Sequence, residues 1–190
     1  MTLRDVKKDR TRAAIVAAAE RLFRERGYDG TTVAQIAADA DVGTRTFFRY
    51  FASKEDTLFP DVELRIATAV DTLKNRGRDE SPAAALLRSL DVAGLTGPGD
   101  PASLDALRLQ LLREVPSVAG RAILLQRRAE QQISRALLEA YPGRFDELSA
   151  SALVGAFVGA FTSASDAAQA DGSHSSREDI RAAVARALGL

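Results

Sequence analysis

The sequence predicts an all-α protein of about nine helices. Apolar residues recur at i, i+3 and i+4 through nearly every segment. Ala, Leu, Arg and Glu, all good helix formers, dominate the composition. The interruptions are clusters of Gly and Pro rather than strand-type alternation. The pattern divides into a three-helix N-terminal head, residues 1–55, with a short basic arm and a helix-turn-helix, and a helical body over residues 56–190.

In the head, Ile15, Ala18, Ala19, Leu22 and Phe23 form one apolar stripe, and Gly27 follows as a C-cap because glycine reaches the left-handed region without penalty. Asp29-Gly30 turns the chain, and Thr31-Thr32 offer a hydroxyl N-cap. Val33, Ile36, Ala37 and Ala40 make a second, short stripe. Asp41-Val42-Gly43 is a tight connection, and Thr44 to Tyr50 is a third helix with Phe47 and Phe51 one turn apart. Ser53 then caps a long fourth helix, with Glu55 and Asp56 in its first turn, where the dipole favours anions. The expected helices from there on are 53–75, 81–95, 102–114, 117–141, 145–170 and 176–189. They are separated by Ser81-Pro82, a Gly/Pro segment at 96–101, Pro116, Tyr141-Pro142-Gly143 and a Gly/Ser segment at 171–176. The segments at 96–101 and 171–176 are the ones expected to be mobile.

Charge alone does not point to a polyanionic partner: 26 basic side chains balance 26 acidic ones. Residues 1–56 nevertheless hold eleven Lys/Arg against nine Asp/Glu, and the first twelve residues five against two, a faint positive footprint at the N-terminus. No cysteine is present, which excludes a disulfide framework and a thiolate metal site. The one histidine, His174, stands in a Gly/Ser segment, no Gly-rich phosphate loop or metal-ligand spacing occurs, and Glu130 and Glu139 read as helix-surface charges. The residues therefore point to no enzyme, cofactor or metal. The N-terminus has no signal-peptide pattern, and the longest apolar stretch, residues 152–161, is shorter than the ~20 residues that span a bilayer. A cytoplasmic protein without a membrane partner is the expectation.

The chemistry concentrates in residues 32–51. Two short helices crossing steeply over a minimal turn need small residues where they touch, which Ala37 and Ala40 supply, and apolar plugs, for which Ile36, Val42, Phe47 and Phe51 serve. The outer side of the second helix then carries Thr44, Arg45, Thr46, Arg49 and Tyr50. These hydroxyls, guanidinium groups and phenol can bond phosphates and base edges in a major groove that admits one helix. Spacing alone also fits a helical hairpin in an ordinary core. The stretch TTVAQIAADADVGTRTFFRYFASKEDTLF, however, resembles the N-terminal head of the tetracycline-repressor family, and TRAAIVAAAERLFRERGYDG before it resembles that family's first helix and glycine-aromatic turn. The resemblance covers residues 10–59, about a quarter of the chain. It departs from the family at Asp41, where Gly is usual, at Gly43, where Ser is frequent, and at Phe48, which lacks a phosphate-bonding hydroxyl.

The resemblance implies a homodimeric DNA-binding transcriptional repressor released from a palindromic operator by a small-molecule effector; a helical adaptor that binds only protein would lack the polar flank of residues 44–50. It implies that Thr32 caps the second helix and bonds a phosphate, that Gln35 reaches the DNA, and that Thr44 and Arg45 contact base edges with Thr46 beside them. Arg49 reads a base or holds a phosphate, and Tyr50 and Lys54 clamp phosphates. The arm with Arg4, Lys7, Lys8, Arg10 and Arg12 either reaches into the minor groove or is simply solvated. A two-fold interface is expected on the last two helices, at Leu153, Val154, Gly155, Phe157, Val158, Gly159, Ile180, Val184 and Leu188, although the same residues suit a protomer core. An effector pocket would be lined by Leu73, Leu86, Leu107, Leu111, Leu124, Leu125 and Phe161, with Arg121 for an anionic head group. RTFFRYFASKED also resembles actinobacterial members with acyl-CoA-like ligands, including mycofactocin-system regulators, which makes an acyl-CoA-like effector the expected class.

Overall fold

The computed structural model describes residues 3–92, 104–170 and 177–189. Among these residues the chain forms nine α-helices and one 3-10 turn, and no strand. The segments expected to be mobile, 96–101 and 171–176, lie outside the described residues, as does His174.

Helix α1 runs from Leu3 to Arg26. The residues expected as an arm are thus its first turns. That stretch has no Gly or Pro, its straight-chain side chains favour helix, and the Thr11 hydroxyl donates to the Lys7 carbonyl at 3.0 Å. Gly27, at φ +74°, ends the helix. Thr31 is buried, and its hydroxyl donates to the carbonyls of Gly27 (2.8 Å) and Leu22 (3.2 Å), satisfying oxygens that the helix end leaves open. Helix α2 (Val33–Asp39) starts with a reciprocal cap. The Gln35 backbone N–H donates to Thr32 Oγ1 at 3.3 Å, and the Thr32 N–H donates to Gln35 Oε1 at 2.8 Å. Asp41 takes φ 53°, the conformation expected of it where glycine is usual. Helix α3 follows over Thr44–Tyr50, with Gly43 at its N-cap and no side-chain cap bond.

The fourth helix differs from expectation. Residues 53–75 do not form one helix: Glu55–Leu58 is a 3-10 turn, and α4 begins only at Val62, running to Lys74. Pro60 is the reason. It has no N–H to donate and pushes the residue before it out of the helical region, and Phe59 sits at φ −125°, ψ 48°. The remaining helices are α5 (Pro82–Val92), α6 (Leu104–Glu114), α7 (Pro116–Ala140), α8 (Glu147–Ala170) and α9 (Arg177–Ala187). Proline opens both α5 and α7, at the one position where its missing N–H is harmless. Asp146 caps α8 by accepting from the Ser149 N–H at 2.8 Å.

The described residues fall into two compact units, divided after Pro60 and again after Ile123, with α6 and the first turns of α7 joining the head. The core of the first unit holds Ile15, Leu22, Phe23, Ile36, Phe47, Phe51 and Leu58 together with Leu107, Leu111 and Val118. The second unit comprises α4, α5, the rest of α7, α8 and α9, around Leu73, Leu86, Leu87, Leu90, Leu137, Val154, Phe157, Ile180 and Val184. A polar clamp closes one side of it. Arg88 grips both carboxylate oxygens of Glu80 at 2.7 and 2.8 Å, and the Tyr141 hydroxyl donates to the Glu80 carbonyl at 2.9 Å. Arg76 donates to the Ala140 carbonyl at 2.7 Å while lying over the Tyr141 ring.

One helix among the described residues, α8, is long and apolar enough to cross a membrane by length and composition. Its large side chains Val154 and Phe157 point into the core of the second unit. In its first half the exposed positions include Leu148 and the small residues Ser151, Ala152, Gly155, Ala156 and Gly159; in its second half they include Thr162, Ser163, Asp166 and Ala167.

Replacing Leu137, which is fully enclosed, by Ala is expected to lower unfolding free energy by about 2–5 kcal/mol, whereas Leu124→Ala, at a side chain 60% exposed, should stay within about 0.5 kcal/mol. Urea titration followed by circular dichroism measures both, and equal losses would contradict this core.

Candidate nucleic-acid interface

Helix α3 has only seven residues, and their burial alternates with the helical period. Phe47 is completely enclosed, while Arg45 and Arg49 are exposed on the opposite flank, Thr44 and Phe48 are exposed to either side, and Thr46 and Tyr50 lie half-buried. One face is therefore fixed in the head core, and the other presents two guanidinium groups one turn apart, a hydroxyl and an apolar ring. A rod of this size, roughly 10 Å wide, fits a major groove about 12 Å across. Arg49 lies over the Tyr50 ring, 5.3 Å from its centre, which limits the positions its guanidinium can take. Thr32, at the start of α2, is exposed. The carbonyl oxygen of Gln35 is committed to the cap, which leaves the amide nitrogen of that side chain for an outside acceptor.

Three side chains expected to meet a ligand are used inside the first unit instead. Lys54, expected as a phosphate clamp, turns inward: its ammonium donates to the carbonyls of Tyr28 (2.8 Å) and Thr31 (2.9 Å) and sits 3.9 Å from the centre of the Tyr28 ring. Arg12, expected in the arm, donates to the Pro60 carbonyl at 2.6 Å and to the Tyr50 carbonyl at 3.5 Å, with its guanidinium over the Phe51 ring. Arg121, expected at an anionic effector, pairs with Asp56, whose other oxygen accepts from the Ala52 N–H at 3.0 Å. In each case the ring, carbonyl or carboxylate that captures the cation comes from a distant part of the sequence, so no local pattern announces it. The Arg21–Asp39 pair, which joins α1 to α2, is equally non-local.

Sequence reasoning also missed the carboxylate at the centre of this unit. Tyr28 donates to Glu55 and shares a 3.0 Å hydrogen bond with Ser117 on α7. Burial by itself would raise the Glu55 carboxyl. Hydrogen bonds from Tyr28, Ser53, its own backbone and Ser117 more than offset this and bring it down to about 2. The Tyr28 phenol is pushed up in turn, by burial first and then by its bond to Glu55.

The residues expected to line an effector pocket are distributed over both units. Leu107 and Leu111 belong to the first core, Leu73 and Leu86 belong to the second with Phe161 packed against it, Leu125 is buried, and Leu124 is exposed. Of the residues expected at a two-fold interface, Val154, Phe157, Ile180 and Val184 are buried in the second core. Leu153, Val158 and Leu188 pack partly against the same core, and only Gly155 and Gly159 are exposed. The helical period puts the large side chains inward and the small ones outward.

Known proteins resemble this chain, in its first unit and beyond it. Residues 15–59 match the family model for bacterial regulatory proteins of the tetR family. The chain is 34% identical over 135 residues to the HTH-type transcriptional regulator TcmR of Streptomyces glaucescens, covering 70% of this chain and 60% of that one. It is 43% identical over 61 residues to the HTH-type transcriptional regulator HbdR of Aromatoleum sp. (strain CIB), covering 32% of this chain and 25% of that one. The chain thus spans less than two thirds of the length of either relative. Among solved structures it is similar to Thermus thermophilus FadR, a TetR-family transcriptional repressor in complex with lauroyl-CoA. The TM-score is 0.54 at 23% identity, covering 94% of this chain and 92% of that one, a likeness of fold.

The depressed Glu55 carboxyl makes a pH-dependent contribution to the first unit. A carboxyl held below its ordinary value of 4.5 stabilises the fold fully above that pH and progressively less as pH falls toward 2. Glu55→Gln should therefore lower the urea midpoint at pH 7, and wild type and variant should converge on acidification. A gap that stays constant from pH 7 to pH 2 would show that this carboxylate does not carry the effect.

Proposed function

We propose that this chain, whose residues 15–59 match the family model for bacterial regulatory proteins of the tetR family, is a ligand-responsive transcriptional repressor acting on operator DNA. One observation carries the reading. The polar flank of α3, with Thr44, Arg45 and Arg49, stands free of the core that Phe47 anchors, so the helix has nothing to do with that flank inside its own protomer. Arg45, near the N-terminal end where recognition helices make base contacts, is the residue suited to a bidentate grip on guanine O6 and N7. Thr44 and Thr46 add hydroxyls beside it. Thr32, Gln35, Arg49 and Tyr50 are placed to bond phosphates, and the inward Lys54 adds positive potential rather than a clamp. Such a protein works on the chromosome, in the cytoplasm.

Recognition of a palindromic operator requires paired heads on half-sites about one helical turn apart, hence a two-fold dimer. We place that contact on the exposed flank of α8, at Leu148, Ala152, Gly155, Ala156 and Gly159, rather than on the interior residues of α8 and α9. Small side chains let two helices approach closely, and a lipid-facing surface would carry large apolar ones. For the effector, the relative solved with lauroyl-CoA and the leucine-rich second core both support an acyl-CoA-like small molecule. Such a ligand shifts the DNA-binding equilibrium only by as much as its affinity differs between the two states.

The full chain should bind duplex DNA from upstream of its own gene, with affinity falling steeply as salt rises. Arg45→Ala is expected to weaken binding to that DNA by about 1–3 kcal/mol while changing binding to mixed-sequence duplex far less. Fluorescence anisotropy measures both, and equal losses on the two DNAs would remove Arg45 from base reading. Ala156→Arg should convert the dimer to a monomer of unchanged helicity in light scattering and circular dichroism. A persistent dimer would move the interface elsewhere.

A further inference from the structure

We infer that the first turns of α1 form a second DNA contact, with Lys8 gripping a phosphate beside the groove that α3 enters; this rests on the DNA-reading role proposed above. The positions of α1 that face the head core recur every three or four residues: Arg12, Ile15, Ala19 and Leu22. Lys8, four residues before Arg12, lies on the same line. Ile15, Ala19 and Leu22 are buried, and Arg12 is half-buried against the end of α3, bonded to the Tyr50 and Pro60 carbonyls. Lys8 is exposed. The core-facing line of α1 therefore runs past the edge of the head, beside the last turn of α3, and the first side chain beyond the edge is a cation. Four residues of helix advance about 6 Å, which puts Lys8 one turn outward from a group that touches α3.

The charge of this extension points to its occupant. Lys7, Lys8 and Arg10 are all exposed, and none of them takes part in the ion pairs found among the described residues. An apolar residue at position 8 would have suited a protein partner or a larger head; a lysine on that line suits an anion. The surface it continues is the one that carries Arg49 and Tyr50, so the anion is the phosphate backbone next to the groove. The helical conformation also decides how DNA is met. A helix roughly 10 Å wide does not enter a minor groove about 6 Å across, so this segment does not thread that groove as an extended arm would. Its contacts carry no sequence information and contribute uniformly to specific and non-specific binding.

The test is the salt dependence of binding by the full chain to a mixed-sequence DNA duplex and to the upstream duplex, measured by anisotropy at several NaCl concentrations. Lys8→Ala leaves helix propensity intact, and its helicity is checked by circular dichroism. The slope of log affinity against log salt should become shallower by about 1.8 on both DNAs, about 0.9 for each of the two phosphate contacts a dimer loses. Lys8→Arg should restore it, and Lys74→Ala, which removes the same charge from the second unit, should leave it unchanged. An unchanged slope for Lys8→Ala overturns the inference while leaving the DNA-reading role in place. So does a loss confined to the upstream duplex, or an equal change from Lys74→Ala. If wild type binds no duplex at all, the DNA-reading role and this contact fall together.

Discussion

A helix of seven residues does not persist in water by itself, because nucleation costs more than so few hydrogen bonds return. Whatever α3 does therefore depends on the enclosure of Phe47. That ring is fully buried among Ile15, Ile36 and Phe51, and it determines which flank of α3 faces outward as well as whether the helix forms. Because the helical period puts Arg45 and Arg49 on the side away from Phe47, the same packing that stabilises the helix presents the guanidinium groups. The start of α3 is by contrast weakly defined, since Gly43 offers no side-chain cap. Burial, rather than capping, holds the element.

The second support of the head is a set of charges kept within it. Lys54, Glu55 and Asp56 are consecutive, and each is drawn to a different part of the first unit: Lys54 to the turn between α1 and α2, Glu55 to Tyr28 and Ser117, and Asp56 to Arg121. Charge-assisted bonds of this kind cost desolvation but fix geometry. Removing a partner leaves the corresponding charge of Lys54, Glu55 or Asp56 half-buried without that bond. They also explain why α6 and the first turns of α7 join the head core. Leu107, Leu111 and Val118 supply apolar cover, while Ser117 and Arg121 satisfy two of the carboxylates.

What could be read from the sequence was what is local. The apolar stripe from Ile15 to Phe23, the Thr32 cap, the positive φ at Asp41 and the burial of Phe47 and Phe51 all follow from residues within one or two turns of each other. The break at Pro60 was local as well, yet the run Ser53–Asp56 reads as a helix start and suggested one long helix through it. A 3-10 turn followed by a proline stop satisfies the same residues. Lys54, Arg12 and Arg121 could not be placed from sequence, because a long cation reaches any carbonyl, carboxylate or ring within about 6 Å and its partner is chosen by tertiary structure. The leucines of the body show the other limit. Periodicity says that Leu73, Leu107 and Leu111 are buried, but not which core each one enters.

The two faces of α8 show how one composition serves two environments. Read as a string, its apolar content suggests a core helix or a membrane span. Read by period, Val154 and Phe157 fill the space against α9, and Ala152, Gly155, Ala156 and Gly159 occupy the opposite flank. Large residues maximise apolar area removed from water where the partner is the helix's own protomer. Small ones give up that area and gain close backbone approach, which is favourable only against a surface of matching shape. A lipid tail has no fixed shape to match, and water gains nothing from exposed alanine and glycine. The two-fold contact proposed for this flank meets that requirement, because a symmetry axis brings up another helix presenting the same small residues at no further demand on the sequence.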